Sequence, residues 1–264
     1  MKKYFTLSGG DCKIRCKLYY TPGTITNRDP EVPAAAAQLH HVILFCHGFA
    51  GHKDNAAAEK LAGRILEKHT DTALLIFNWP GHGDDEHDTL FLGDCDLYLS
   101  TVLDYIRTAL KPELLDVCAT SFGGYLVLKY ISDHRESPFR RICLRCPAVV
   151  MEDILTKTIL TPEELAVIDA GGSVPAGFDR KVLITGAFLE SLRQADLVHR
   201  DLRPYSGRIC IVQGTADEIV PCSAVHAFAK RNRLRLLSVE SADHRFLDPA
   251  KMETVLNTFM EFLF

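Results

Sequence analysis

The hydrophobic residues of this chain follow two alternating patterns: short continuous runs, and longer segments with helical spacing. The runs predict buried strands at His41–Cys46, Thr72–Phe77, Asp116–Thr120, Arg141–Cys146, Arg208–Val212 and Leu234–Val239. The spaced segments predict helices at Asn55–His69, Gly93–Leu110, Phe122–His134, Cys222–Arg231 and Pro249–Phe264. Strands that are apolar on both faces and joined through helices usually run parallel in one sheet. We therefore expect an α/β fold, with a mostly parallel central sheet and helices on both faces.

The N-terminal part predicts a different pairing. Tyr4–Leu7 and Cys12–Tyr20 alternate apolar with polar residues and are joined through Gly9-Gly10-Asp11, which indicates an antiparallel hairpin. The polar stretch Thr21–Gln38 follows and is expected to be a surface loop with a turn at Asn27–Pro30.

The alternation of predicted strands and helices is interrupted between residues 148 and 205. This segment contains a helix start at Thr161–Glu164 and several glycines, and it predicts helical pieces without a strong strand–helix–strand unit. We expect a small cap-like insertion within a single domain of residues 1–264. Ligands of open α/β folds bind at the carboxyl ends of the strands, and we place the insertion there.

Composition narrows the classes of function. The 264 residues carry a formal net charge of −4, so a basic nucleic-acid surface is not expected. No apolar run approaches the ~20 residues of a membrane span, and the apolar start is too short for a signal peptide. The nine cysteines show no disulfide-framework spacing, and the CxxC at Cys143 and Cys146 stands alone. We expect a cytoplasmic protein without membrane or nucleic-acid partners, and a structural role for this CxxC.

One serine stands where a predicted strand meets a predicted helix. The segment Ala119–Gly123 reads Ala-Thr-Ser-Phe-Gly, which is the GxSxG pattern with alanine in the first place. In a nucleophile elbow, a strained turn exposes the serine hydroxyl, and small residues on either side leave space for neighbouring chain. A serine that only caps the helix is the structural alternative. The context favours Ser121 as a nucleophile.

A serine hydroxyl needs a base to accept its proton. Asp217 and His244 each lie just beyond a predicted strand, so both are expected at the same edge of the sheet as Ser121. The chain order of serine, acid and histidine is the order that this kind of site uses. Glu218 and Asp243 are the alternative acids, and Asp217 is preferred over both.

An oxyanion needs two backbone N–H donors. Phe122 follows the nucleophile and would supply one. The loop after the first buried strand, which contains His47, Gly48 and Phe49, would supply the other from Phe49. Gly48 permits an unusual backbone angle in this loop, and we expect hydrogen bonds from His47 to orient it.

The loop after the second buried strand contains His82 and His87. Their spacing is not that of a recognised metal site, and the glycines nearby lack the lysine and the helix of a phosphate loop. We therefore expect neither a metal nor a cofactor.

Taken together, five motifs resemble the α/β-hydrolase superfamily: HGF (47–49), PGHG (80–83), the serine elbow (119–123), GTADEIVP (214–221) and ADHRF (242–246). The correspondence runs from about His41 to the C-terminus, and 148–205 is its divergent part. HGFAGHKD at 47–54 and the ADH-aromatic motif are similar to small bacterial cinnamoyl or feruloyl esterases. Those esterases usually show Gly-His-Ser-x-Gly at the elbow, from which this chain departs.

The resemblance implies an α/β-hydrolase fold and a serine carboxylesterase. Ser121 would be the nucleophile, His244 the base and Asp217 the acid, with Phe49 and Phe122 as oxyanion donors. The expected substrate is a small ester, of a hydroxycinnamoyl or short-chain acid, cleaved through an acyl-enzyme. A serine peptidase or thioesterase on the same fold, and a non-catalytic binding protein, are the alternatives.

Overall fold

The computed structural model of the chain describes residues 1–9, 12–26, 33–35, 39–85 and 88–264. Three positions named above lie outside the described residues: the hairpin turn at Gly10-Asp11, the loop turn at Asn27–Pro30, and His87.

One large sheet runs through the centre of the fold. In chain order the strands are β1 (Lys2–Gly9), β2 (Cys12–Tyr19), β3 (Ile25–Thr26), β4 (Ala34–Ala35), β5 (His41–Cys46), β6 (Thr72–Phe77), β7 (Leu114–Thr120), β8 (Ile142–Arg145), β9 (Ser173–Ala176), β10 (Val182–Thr185), β11 (Ile209–Gly214) and β12 (Arg235–Val239). Eight of them form one sheet in the order β1-β2-β6-β5-β7-β8-β11-β12. The β1–β2 and β2–β6 pairs are antiparallel, and the other pairs are parallel. The mostly parallel sheet with an N-terminal antiparallel hairpin is therefore confirmed.

Helices follow most of the parallel strands. They are α1 (Ala56–Lys68), α2 (Leu92–Tyr105), α3 (Phe122–His134), α4 (Met151–Ile154), α5 (Pro162–Asp169), α6 (Gly186–Gln194), α7 (Cys222–Asn232) and α8 (Pro249–Leu263). A π-helical turn extends α2 from Ile106 to Leu110, so the predicted helix over 93–110 has two parts. Among the described residues, none of the helices combines the length and the apolar character that crossing a bilayer requires.

The strand β5 shows why the central strands are apolar throughout. Val42 and Leu44 pack in the core that contains residues of α2 and α3, whereas Ile43 and Phe45 pack in the core that contains residues of α1 and α8. Successive side chains of a strand point to opposite faces of its sheet. A continuous apolar run therefore reflects two cores, and the predicted helices on both faces are confirmed.

Two short hairpins were not predicted. β3 pairs with β4 in the stretch expected to be a loop, and β9 pairs with β10 inside residues 148–205. The second hairpin escaped prediction because each of its strands has only four residues and Pro175 lies inside β9. The rest of this segment forms α4, a π-helical turn over 155–159, α5 and α6. As expected, α5 begins at Thr161, whose hydroxyl accepts the backbone N–H of Glu164 in a capping box.

Candidate active site

The predicted site residues follow the carboxyl ends of parallel strands. Ser121 comes directly after β7, Asp217 after β11 and His244 after β12. Phe49 lies in the loop after β5. Because these strands are parallel neighbours in one sheet, their carboxyl ends share one edge, and all four residues are located there.

Ser121 occupies a strained turn between β7 and α3. Its φ of 52° and ψ of −117° lie outside the ordinary regions for residues with a side chain, at a cost of about 1–3 kcal/mol. Backbone hydrogen bonds hold this conformation: the Ser121 N–H donates to the Arg145 carbonyl at 3.0 Å, and the Ser121 carbonyl accepts from Tyr125 at 3.0 Å and from Ala148 at 3.1 Å. Within the described residues its side chain makes no capping hydrogen bond to α3. The Ser121 hydroxyl therefore does not cap the helix, which was the structural alternative.

Gly123 is required because backbone passes directly against it. A Cβ atom at this position would lie 2.4 Å from the Cys46 carbonyl oxygen and 2.5 Å from that of His47. Both atoms belong to backbone and cannot turn aside. The predicted need for a small residue two positions after Ser121 is confirmed.

Gly48 is required for space rather than for a special backbone angle. Positive φ in this loop occurs at Ala50, with φ of 55°, and Gly48 is not among the residues with positive φ. The conformational freedom that a glycine permits is therefore not used as a positive φ at Gly48. A Cβ at Gly48 would lie 3.2 Å from the Cβ of Ser121. The absence of a side chain lets the loop approach the serine.

The two expected oxyanion donors lie on either side of Ser121. Phe122 is the first residue of α3, where a backbone N–H has no acceptor within the helix. In the described part of the chain, neither the N–H of Phe122 nor that of Phe49 donates a hydrogen bond. The two rings meet edge to face, with centroids 6.0 Å apart. Both N–H groups therefore remain available to a ligand.

His47 holds the loop that contains Phe49. Its Nδ1 donates to the Gly48 carbonyl at 2.8 Å, and its Nε2 accepts the Trp79 backbone N–H at 3.4 Å. The Trp79 indole N–H donates to the His47 carbonyl at 3.0 Å. Burial lowers the pKa of His47, so the ring is neutral and can accept as well as donate. The predicted orienting role of His47 agrees with these bonds.

His82 supports both oxyanion donors, a role that the sequence did not indicate. Its ring stacks on Phe122 at 6.1 Å and meets the ring of Phe49 edge-on at 5.9 Å. Its Nδ1 donates to the Pro80 carbonyl at 2.8 Å, and its Nε2 has no partner among the described residues. Complete burial lowers the pKa of His82 to about 4. The PGHG motif contains His82, but neither this motif nor the spacing to His87 predicts contacts with Phe49 and Phe122.

Asp217 and His244 form a buried pair. The His244 Nδ1 lies 2.9 Å from the Asp217 Oδ2, while the other Asp217 oxygen accepts the N–H groups of Ile219 at 3.0 Å and Val220 at 2.7 Å. Burial alone would raise the pKa of Asp217, but the hydrogen bond from His244 and the backbone N–H of Val220 hold it below its ordinary value. An ionised carboxylate can only accept, so His244 carries its proton on Nδ1. In the neutral imidazole with this tautomer, Nε2 carries no proton and can act as a base.

The alternative acids bind backbone rather than the imidazole. The Glu218 carboxylate accepts the His244 backbone N–H at 3.1 Å. The Asp243 carboxylate accepts the N–H of Arg245 at 2.8 Å, within its own turn. Of the three acids, Asp217 is the one whose carboxylate meets the His244 ring.

Two further residues hold the Asp217 carboxylate. The Gln213 side-chain N–H donates to the Asp217 Oδ2 at 3.0 Å. The Cys146 thiol also hydrogen-bonds to Asp217, and burial raises the pKa of Cys146, so the thiol keeps its proton and donates. Cys146 had been expected to be a buried structural residue of the CxxC, and it is buried and free. The hydrogen bond from Cys146 to Asp217 joins loops that are far apart in the sequence, so the CxxC spacing could not predict it.

Cys146, Asp217 and His244 are also the one group of potential metal ligands found among the described residues. Their ligand atoms lie within 4.8 Å of one another. An ion could bind all three only by displacing the hydrogen bond between Asp217 and His244. The hydrogen bonds to Asp217 already explain why these three side chains lie together.

Ser121 and His244 line the same cavity, whose volume is about 460 Å³. Residues 148–205 contribute Met151, Ile154, Ile159, Phe178 and Asp179 to its wall. Phe49 and Ile159 line the cavity, whereas Phe122, Leu155 and Phe188 are completely buried.

A larger cavity of about 600 Å³ lies at the opposite edge of the sheet. Leu114, Arg140 and Arg208 contribute to its wall, beside the amino ends of the strands, and its described lining contains no histidine. Of these two cavities, the smaller one is lined by both a candidate nucleophile and its base.

Comparison with known proteins identifies the fold family. The family model described as alpha/beta hydrolase fold matches residues 41–183, which confirms the superfamily resemblance. No protein of curated function matches the sequence.

Solved structures of similar fold cover nearly the whole chain. Est1E from Butyrivibrio proteoclasticus, in a structure with ferulic acid bound, has 19% identity and a TM-score of 0.67, covering 98% of this chain and 99% of that chain. Alpha/beta hydrolase domain-containing protein 10 from mouse has 15% identity and a TM-score of 0.67, covering 99% and 98%. XC6422 from Xanthomonas campestris, a serine hydrolase without lid, has 14% identity and a TM-score of 0.59, covering 99% and 93%. At these identities the likeness establishes the fold.

Proposed function

This chain belongs to the α/β-hydrolase fold family, and from that membership we propose that it cleaves carboxylic esters with Ser121, His244 and Asp217 as its triad. One observation carries the proposal. A serine with a strained backbone, whose hydroxyl does not cap its helix, lines one cavity with a histidine whose Nδ1 is bound to a buried carboxylate. That combination is what nucleophilic acyl transfer requires.

The reaction uses the triad in two half-cycles. Ser121 Oγ attacks the ester carbonyl carbon while His244 Nε2 accepts the hydroxyl proton. The tetrahedral intermediate collapses, the carbon–oxygen bond to the alcohol breaks, and His244 gives its proton to the leaving oxygen. Water then attacks the acyl-enzyme, with His244 again as base, and releases the acid and Ser121. Asp217 keeps the His244 proton on Nδ1 and stabilises the imidazolium that forms in each half-cycle.

The negative charge on the carbonyl oxygen is held by the N–H groups of Phe49 and Phe122. Loss of one such donor typically costs about 3–4 kcal/mol of transition-state stabilisation. The rings of His82 and Phe122 stack, and His47 fixes the loop of Phe49, so both donors are supported from behind. Preorganised donors of this kind need no rearrangement during the reaction.

The proposed substrates are esters of hydroxycinnamic or short-chain acids. A cavity of about 460 Å³ is of the size that small ligands occupy, and its wall mixes apolar with polar residues. The solved Est1E structure holds ferulic acid, which makes methyl ferulate a suitable test compound for this chain. Thioesters and aminoacyl anilides belong in the same panel, because the same machinery cleaves them.

We also propose that residues 148–205 act as a cap within a single domain of residues 1–264. Support comes from the residues of this segment in the cavity wall, among them Met151, Ile159 and Phe178. The proposed location is the cytoplasm, supported by the eight cysteines from Cys16 to Cys222, which are free thiols, since thiols persist in reducing compartments.

A fluorophosphonate probe tests the proposal directly. The wild-type protein should be labelled at Ser121 and should hydrolyse members of a panel of p-nitrophenyl esters, methyl ferulate, acyl-CoA and aminoacyl anilides. Ser121→Ala should lose labelling and several decades of activity while remaining folded. Ser8→Ala, which changes an exposed serine of β1, is the matched control and should behave as wild type. A folded wild-type protein that the probe does not label would favour the non-catalytic binding protein instead.

A further inference from the structure

Arg145 is a buried cation beside the proposed nucleophile. It is the last residue of β8, and its carbonyl accepts the Ser121 N–H at 3.0 Å. The residue is only 9% exposed, and it lines the cavity that contains Ser121 and His244. An arginine is unexpected in this position, because a strand residue between apolar neighbours is usually apolar itself.

Most of the donors of this guanidinium have no partner among the described residues. Nη1 donates to the Arg245 carbonyl at 3.4 Å, a long hydrogen bond, and lies 3.7 Å from the Met252 sulfur. Nε is buried and has no partner among the described residues. The guanidinium also lies 5.9 Å from the centre of the Phe246 ring. A guanidinium offers five N–H donors, so these contacts satisfy only a minority of them.

No carboxylate in the described part of the chain forms an ion pair with Arg145. The acids whose charges act on Arg145 are bound to other groups: Asp217 lies 2.9 Å from the His244 ring, and Asp243 accepts the backbone N–H of Arg245 at 2.8 Å. Burial lowers the pKa of Arg145, yet a guanidinium stays charged at neutral pH. A buried charge without a counter-ion is expensive, and proteins rarely keep one unless a ligand completes the pair.

We propose that Arg145 binds a carboxylate carried by the substrate, so that the preferred esters are anionic. The inference rests on the proposed ester hydrolysis and names the substrate class for that site. The planar fork of a guanidinium matches the two oxygens of a carboxylate, and an ion pair formed inside the cavity replaces the missing counter-ion. Arg145 is then a specificity-determining residue.

Matched substrate pairs test the inference in wild-type protein. Monomethyl adipate is compared with its carboxamide analogue, and 4-carboxyphenyl butyrate with 4-carbamoylphenyl butyrate. The first pair places the charge on the acyl side of the ester, and the second places it on the alcohol side. We expect kcat/KM to favour the carboxylate by about 10- to 100-fold in one pair, the range of a hydrogen bond to a charged group. The absence of a preference in both pairs overturns the inference, whatever the variants do.

Three variants assign the preference to Arg145. Arg145→Gln should reduce the carboxylate preference to near unity, with the larger loss of kcat/KM on the carboxylate ester. Arg145→Lys should retain part of the preference, because the charge remains. Arg245→Gln is the matched control, since Arg245 lines the same cavity but its side chain is 63% exposed, and it should retain the full preference. An equal loss on both members of a pair would instead indicate that Arg145 acts only through the triad, and would also overturn the inference.

Binding to Ser121→Ala protein separates this inference from the proposed function. Calorimetry should show the preferred carboxylate ester bound at least about tenfold more tightly than its carboxamide, and the double variant with Arg145→Gln should lose the difference. Turnover of neutral esters with no charge preference would sustain the hydrolase and reject the role of Arg145. Selective binding of the carboxylate ester without any turnover would reject the hydrolase and sustain that role.

Discussion

The buried imidazole of His82 should make the stability of this protein depend on pH above the range where carboxylates titrate. His82 is completely buried between the rings of Phe49 and Phe122, and its pKa in the folded protein is about 4. In the unfolded chain a histidine has a pKa of about 6.5. As the pH falls below that value, the unfolded chain binds a proton at this histidine, whereas the folded protein does not. Stability is therefore complete above pH 7 and is lost progressively as the pH falls toward 4.

The size of the effect follows from these two values. Between pH 7.5 and pH 5, a histidine with a pKa of about 6.5 unfolded and about 4 folded removes about 2 kcal/mol from the free energy of unfolding. Below pH 4 the loss approaches its limit of about 3 kcal/mol. His47 acts in the same direction, because burial lowers its pKa as well.

Urea unfolding at the two pH values measures this loss. The free energy of unfolding of wild-type protein should fall from pH 7.5 to pH 5, and in His82→Gln the fall should be smaller by about 2 kcal/mol. The comparison uses the change with pH within each protein, so a constant destabilisation of the variant does not affect it. His226→Gln, at an exposed histidine of α7, should keep the wild-type fall. A fall in His82→Gln as large as in wild type would refute the reasoning.

Three further predictions concern the site and its support. Asp217→Asn should lower kcat by about 10⁴-fold while labelling by a fluorophosphonate slows rather than disappears, because the His244 tautomer is lost and Ser121 remains; an effect below tenfold would point to another acid. Gly123→Ala should destabilise the fold by at least about 2 kcal/mol in urea unfolding, whereas Gly63→Ala, where nothing lies within 4 Å of the new methyl group, should be neutral or stabilising. Asp116→Ala should cost about 3–5 kcal/mol, because this buried carboxylate pairs with His41 and Arg140 at the edge of the sheet opposite the site; a cost below about 1 kcal/mol would contradict that account.

The local pattern predicted most of the elements accurately. The bounds of β5, β6 and α3 agree with prediction to the residue, and α1 begins and ends one residue inside it. These segments carry their signals locally, as an apolar run or as apolar residues at helical spacing. The strand predicted over 141–146 ends instead at Arg145, because Cys146 adopts a positive φ of 45°. The pairing of β9 with β10 was missed, since each strand has only four residues and β9 contains Pro175.

The sequence by itself determined which residues stand at the ends of the strands: Ser121 at a strand-to-helix turn, then Asp217 and His244 in later loops. That information is local, since each of these residues directly follows a recognisable strand. Only the tertiary structure decided what each side chain meets. The contact of Asp217 with the His244 ring, the place of His82 between two phenylalanines, and the burial of Arg145 without a counter-ion all depend on packing between segments far apart in the chain. Periodicity in a sequence reports which face of an element is buried, but the partner on that face is chosen when the layers assemble.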